Sequence, residues 1–153
     1  MEGFTTKKQQ FATVWKMHTA GDAQWYPAQV PGTVYTDLLR NGQMEDPFWK
    51  DNEYRALDLM EKDYEYETAF EGTEAQEGER QWLRFEGLDT ICDIYLNEEK
   101  IGNTYNMHRT WEFDVTGKVK AGENILRVYF HSPLEYIKEA YEKQPTHGSE
   151  DVI

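Results

Sequence analysis

A chain of 153 residues has the size of one domain, large enough to bury about two-thirds of the surface that its unfolded form exposes. With 16 Lys and Arg against 29 Asp and Glu, its formal charge of −13 repels phosphate backbones and anionic lipid headgroups, so neither nucleic acid nor a membrane surface is an expected partner. The lone Cys92 cannot form an internal disulfide, the first residues lack the apolar run of an export signal, and no later stretch is apolar for long enough to span a bilayer, which makes a cytoplasmic location the expectation.

Aromatic residues make up 14% of the chain, with five Trp and ten Tyr, although the mean hydropathy is −0.86. Rings in that number argue against disorder and for a packed β-rich core or a sugar-facing surface. A strand is expected around Phe11 to Met17. Thr33 then caps a short helix whose Val34 and Leu38 lie four apart, and Asn41-Gly42 supplies its left-handed stop. The segment from Asp46 to Glu53 reads as a loop pinned by Pro47, and the acidic run Glu61-Lys62-Asp63 as solvated surface.

From Tyr64 onward the residues alternate with period two. Tyr64, Tyr66, Thr68 and Phe70 share one parity and Glu65 and Glu67 the other, which predicts a strand with one dry face. The Gly- and Glu-rich stretch from Glu71 to Arg80 has no period and reads as a loop. Gln81 to Glu86 follows as a strand, in which Trp82 alternates against Leu83 and Phe85 so that both faces are partly covered. Ile91 to Asn97, a turn at Glu98-Glu99 and Lys100 to Gly102 form a hairpin, with Cys92 as a buried inert thiol. Thr110 to Val115 and Asn124 to Phe130 are two further strands. Ser132-Pro133-Leu134-Glu135 then combines a cap, a first-turn proline and a Glu three residues after the cap, which predicts a second helix ending near Gln144. Strands at this spacing without long intervening helices indicate an antiparallel sandwich.

The chemistry of the chain is sparse. Glycoside cleavage uses two carboxyl groups in opposed environments, and spacing alone nominates no pair among 29 acidic residues. His18, His108, His131 and His147 are scattered, the only Cys is isolated, and neither a metal motif nor a phosphate-cradling Gly-rich loop is present, so no metal or cofactor is expected. Ser132 is a helix cap, Ser149 lies in a frayed tail, and no nucleophile elbow occurs. What remains is the Asp46 to Glu53 segment, where Phe48 and Trp49 adjoin Asp51, Asn52 and Glu53. Aromatic faces beside hydrogen-bonding side chains suit a saccharide, and they equally suit a loop packed through its rings.

Several segments together resemble the start of a family 2 β-mannosidase. They are Trp25 to Leu39 with Val30-Pro31-Gly32-Thr33-Val34, Asp46-Pro47-Phe48 with Asp51-Asn52-Glu53, Gly87-Leu88-Asp89-Thr90, Tyr95-Leu96-Asn97, Asn106 to Arg109 with Trp111 to Thr116, and Ser132-Pro133-Leu134. The resemblance implies an all-β fold, a galactose-binding-domain-like jelly-roll β-sandwich with two short helices, serving as the N-terminal accessory domain of a retaining exo-β-mannosidase. Both catalytic glutamates of that family sit on a barrel that this chain does not contain, so no catalytic residue is assigned to it. It implies contact with that barrel, β-mannoside glycans as ligands of the full-length enzyme, and Trp49, Asp51, Asn52 and Glu53 as residues approaching the sugar. Arg109 and Trp111 face either the pocket or a neighbouring domain. The family often places Asn-Gly in the hairpin turn where this chain has Asn97-Glu98-Glu99. The resemblance further implies that residues 1–153 stop before the strand that closes the jelly roll, leaving an open sheet edge beside the N-terminal strand through which the chain self-associates. The alternatives are a stand-alone lectin-like module and the same domain of a β-glucuronidase, β-galactosidase or exo-glucosaminidase.

Overall fold

A computed structural model describes residues 5–10 and 13–145, and antiparallel strands dominate it. In chain order its elements are β1 (Trp15–Thr19), β2 (Tyr26–Ala28), α1 (Val34–Arg40), α2 (Asn52–Met60), β3 (Tyr64–Gly72), β4 (Trp82–Phe85), β5 (Ile91–Leu96), β6 (Glu99–Tyr105), β7 (Trp111–Asp114), β8 (Gly122–Phe130) and α3 (Pro133–Lys143). Six strands form one sheet in the order β2-β1-β3-β8-β5-β6, and β4 pairs with β7 in a second sheet. The predicted alternation places β3 at the heart of the large sheet, paired with β8 from Tyr64↔Phe130 to Gly72↔Gly122.

Tyr64, Tyr66, Thr68 and Phe70 are all buried, as their shared parity requires. The inner face on which they lie is covered by two different layers. Toward one end, β4 and β7 close over it, and Phe70, Leu83, Ile94, Leu96, Val115, Val119 and Leu126 form the core. Toward the other, α1 and α2 replace strands, and Met17, Leu38, Met44, Ala56, Tyr64 and Tyr66 pack together. Each fully buried aliphatic side chain of this kind contributes about 1.5–3 kcal/mol. The contact between sheets is close at one point, where a Cβ on Gly102 would lie 2.2 Å from the Phe113 ring. Only a glycine lets β7 approach β6 there.

The hairpin turns at Asn97-Glu98, one residue earlier than the sequence indicates, with φ of 51° and 71° at the two positions. Asn97 earns its place by more than backbone geometry, since its Oδ1 accepts from Ile125 N (3.0 Å) and its Nδ2 donates to Asn124 Oδ1 (2.8 Å), tying the turn to β8. Cys92 is fully buried, and burial pushes its thiol up to about 12. Leu83 is buried while Trp82 is 54% exposed, so β4 has one dry face and one wet one.

The outer face of the large sheet is crossed by a ladder of charges. Lys16 meets Glu67 at 2.8 Å between β1 and β3, Glu65 meets Arg127 at 2.6 Å between β3 and β8, and Asp93 meets Lys100 at 2.7 Å between β5 and β6. The Arg127 guanidinium, 4.3 Å above the Tyr95 ring, joins β8 to β5 and completes the row.

Two expectations are corrected, and one strand appears that the sequence pattern does not mark. A third helix, α2, begins inside the segment read as a loop, so the described residues carry three short helices and not two. Tyr26–Ala28 is a strand, although Pro27 interrupts the strand signal. The edge beside the N-terminal strand is not open at Trp15 to Met17, because those residues pair with β2 on one side and β3 on the other. Among the described residues the unpaired edges lie on β2, on β6 and on both strands of the small sheet. Phe11 and Ala12 of the predicted strand, together with His147 and Ser149, fall outside the described residues.

Candidate functional site

The segment from Asp46 to Glu53 folds as a knuckle in front of α2. Asp46 organises it: its Oδ1 accepts from Phe48 N (3.0 Å), and its carbonyl accepts from Trp49 N (3.1 Å) and from Asn52 Nδ2 (2.9 Å). Asp before Pro-Phe is a local turn builder, since a short carboxylate reaches the amide two residues on. Lys50 completes the reversal at φ 51°. At the base, Arg55 pairs with Glu45 at 2.8 Å.

α2, on which the knuckle rests, is fixed at its far end. Tyr35 Oη donates to the Ala56 carbonyl (3.0 Å), Tyr64 Oη to the Leu59 carbonyl (3.0 Å) and Ser132 Oγ to the Met60 carbonyl (2.7 Å). Three hydroxyl groups from outside the helix thus bond carbonyls in its C-terminal half. Ser132 also receives Glu135 N as the predicted cap of α3, and its own N–H reaches Asp63 Oδ1 at 2.6 Å.

The four sequence-predicted site residues do not perform alike. Trp49 is 63% exposed and Phe48 95%, so both rings stand free of the core, with the Lys50 ammonium 5.8 Å from the Trp49 ring. Asp51 begins α2 without a side-chain capping bond, and its carboxylate and that of Glu53 are exposed. Asn52 is half-buried, and its amide nitrogen is spent on Asp46, which makes it a brace of the knuckle. The knuckle is a projection that offers rings and carboxylates from one side. Asp46, the residue that shapes it, was legible only as the first residue of a loop pinned by Pro47.

Arg109 and Trp111 lie elsewhere, at the start of β7. The Arg109 guanidinium sits 4.2 Å over the Trp111 ring, whose Nε1 donates to the Asn106 carbonyl (3.0 Å).

Among the described residues, the two carboxyl groups whose proton affinity departs clearly from the ordinary both move downward. Burial raises Asp93, but hydrogen bonds from Lys100 and His131 outweigh it, and Asp114 is lowered by its bonds from Thr116. Neither is the proton-holding acid that glycoside cleavage requires. Among the described residues no cluster of His, Cys, Asp and Glu could hold a metal ion, and no helix is long and apolar enough to cross a membrane.

A family profile described as the glycosyl hydrolase 2 galactose-binding domain-like domain matches residues 15–152. The chain belongs to that family. It is 36% identical over 132 residues to a β-mannosidase of Capra hircus, covering 84% of this chain and 15% of that protein. The crystal structure of a β-D-mannosidase from Dictyoglomus thermophilum superposes with a TM-score of 0.80 at 37% identity, over 90% of this chain and 17% of that one. An exo-chitosanase of Amycolatopsis orientalis shares the fold at 21% identity, with a TM-score of 0.66 over 78% of this chain. This family 2 domain therefore spans about a sixth of the length of the β-mannosidases it matches.

Proposed function

We propose that this domain is the N-terminal accessory domain of a retaining exo-β-mannosidase, an enzyme that removes terminal β-linked mannose. In this reading the catalytic carboxyl groups lie on a barrel elsewhere in the full-length enzyme, and the domain braces that barrel and supplies part of the wall of its sugar pocket. The observation that carries the reading is the Phe48-Trp49 knuckle: two exposed rings on a backbone pinned by Asp46 and Asn52, rigid but one-sided, which a second surface would complete. The neighbouring Asp51 and Glu53 carboxylates supply hydrogen-bond acceptors for sugar hydroxyl groups.

The test compares hydrolysis of p-nitrophenyl β-mannoside by the 153-residue chain, the full-length enzyme and its Trp49→Ala variant. The expected result is activity only in the longer proteins, with kcat/KM reduced by Trp49→Ala. Because the ring is exposed and makes no core contact, its loss leaves folding intact. Unchanged kinetics would remove the knuckle from the pocket, and turnover by the chain alone would overturn the accessory role.

A further inference from the structure

A cleft of about 200 Å³ lies on the outer side of the large sheet, where the start of α3 meets β5 and β6. None of its lining belongs to the knuckle. Tyr105 and Tyr136 stand at its rim, each 64% exposed, and Asp93, Asn103 and His131 are among the residues lining it. It is smaller than the roughly 300–1,000 Å³ typical of pockets for drug-sized ligands.

The rim is preorganised. Trp111 meets Tyr105 edge to face at 5.1 Å and is itself parallel to Phe113 at 6.4 Å, with Arg109 over its ring and its Nε1 bound to the Asn106 carbonyl. Fixing the Tyr105 ring in advance lowers the ordering cost of any ligand that stacks on it. The Tyr136 side is set by the Ser132 cap and Pro133 at the start of α3.

The polar groups are arranged for hydroxyl groups. Asp93 accepts from Lys100 Nζ (2.7 Å) and His131 Nε2 (3.3 Å), and a carboxylate has about four lone-pair positions, so acceptor capacity remains. Asn103 lies directly opposite Asp93 in the β5–β6 register, and its amide adds a donor and an acceptor. Lys100 balances the charge of Asp93, so the cleft asks for no ionic ligand, and the chain's charge of −13 disfavours an anionic one.

We propose that this cleft binds a single neutral hexose unit of a glycan, with Tyr105 and Tyr136 flanking the ring and Asp93 and Asn103 bonding its hydroxyl groups. The site is distinct from the knuckle and needs no catalytic domain, so it stands or falls independently of the accessory role. Two rings and a few hydrogen bonds on an open cleft give an affinity on the order of millimolar.

The experiment is a ¹H–¹⁵N chemical-shift titration of the 153-residue chain with methyl β-mannoside and methyl β-glucoside, with glucuronate as the charged control. Saturating shifts at Asp93, Asn103 and Tyr105 are expected with at least one neutral glycoside, and at least a tenfold loss of affinity in Tyr105→Ala and in Asn103→Ala. Both side chains are exposed, and an unchanged melting temperature verifies that the variants stay folded. Absence of saturation up to about 100 mM, equal binding by the two variants, or preference for glucuronate would each overturn the proposal.

Discussion

Tyr66 donates its phenolic hydrogen to Asp37 Oδ2 at 3.0 Å, joining the central strand of the large sheet to α1 inside the protein. Asp37 is fully buried, and its other oxygen accepts from Gln29 N (3.1 Å) and Arg40 Nη1 (2.8 Å). A buried charge is tolerable when its lone pairs are occupied in this way. Asp37→Ala leaves the Tyr66 hydroxyl and the Gln29 amide without a partner and is expected to cost about 3–5 kcal/mol in urea unfolding. Tyr66→Phe keeps the carboxylate and two of its donors and should cost about 1–3 kcal/mol. Equal costs for the two would show that the carboxylate is not the organising group.

Alkaline pH should unfold the protein through its tyrosines. Burial raises Tyr64 to about 12, and burial together with the Asp63 carboxylate raises Tyr129 to about 12, against an ordinary value of 10.0. Tyr66, buried and bonded to Asp37, lies higher still. A raised value means that the folded state favours the protonated phenol. The stabilisation is therefore fully present below pH 10.0 and is lost as pH rises toward about 12. Absorbance at 295 nm should show exposed tyrosines titrating first and the buried group ionising together with loss of the far-ultraviolet β signal. Titration of every tyrosine near the ordinary value, with the fold retained, would contradict the burial of Tyr64 and Tyr66 and the bond from Tyr129 to Asp63.

The hairpin turn holds a removable strain. Glu98 sits at φ 71°, a conformation that costs a side-chain-bearing residue roughly 1–2 kcal/mol. Glycine avoids that cost and forfeits part of the gain through the greater freedom of the unfolded chain. Glu98→Gly should stabilise the protein by about 0.5–1 kcal/mol, read as a higher melting temperature. The Asn97→Gly substitution should do the opposite, because it removes the bonds to Ile125 and Asn124.

The strands were legible because burial and alternation coincide. Tyr64, Tyr66, Thr68 and Phe70 announce a dry face, and the structure buries all four. α1 and α3 were equally plain, since Thr33 and Ser132 cap them as their spacing requires. α2 was hidden because Tyr54, Leu57 and Met60 are exposed and only Ala56 is buried, so no apolar stripe marks its period, while Asp51 makes no capping bond. β2 was hidden by its length and by Pro27. In the candidate site, the sequence picked out the aromatic and carboxylate residues but not their relation: Asn52 reads as a ligand-binding side chain and serves as a brace. Asp37 gave no signal at all, because an acidic residue in a short capped helix looks solvated until Tyr66, 29 residues away, arrives beside it.

The clamping of α2 at its last turn by Tyr35, Tyr64 and Ser132 makes the helix a cantilever. Its root is held by three separate elements, and its free end carries Phe48 and Trp49 on the knuckle. Where those rings stand is thus tied to hydroxyl groups that never touch them.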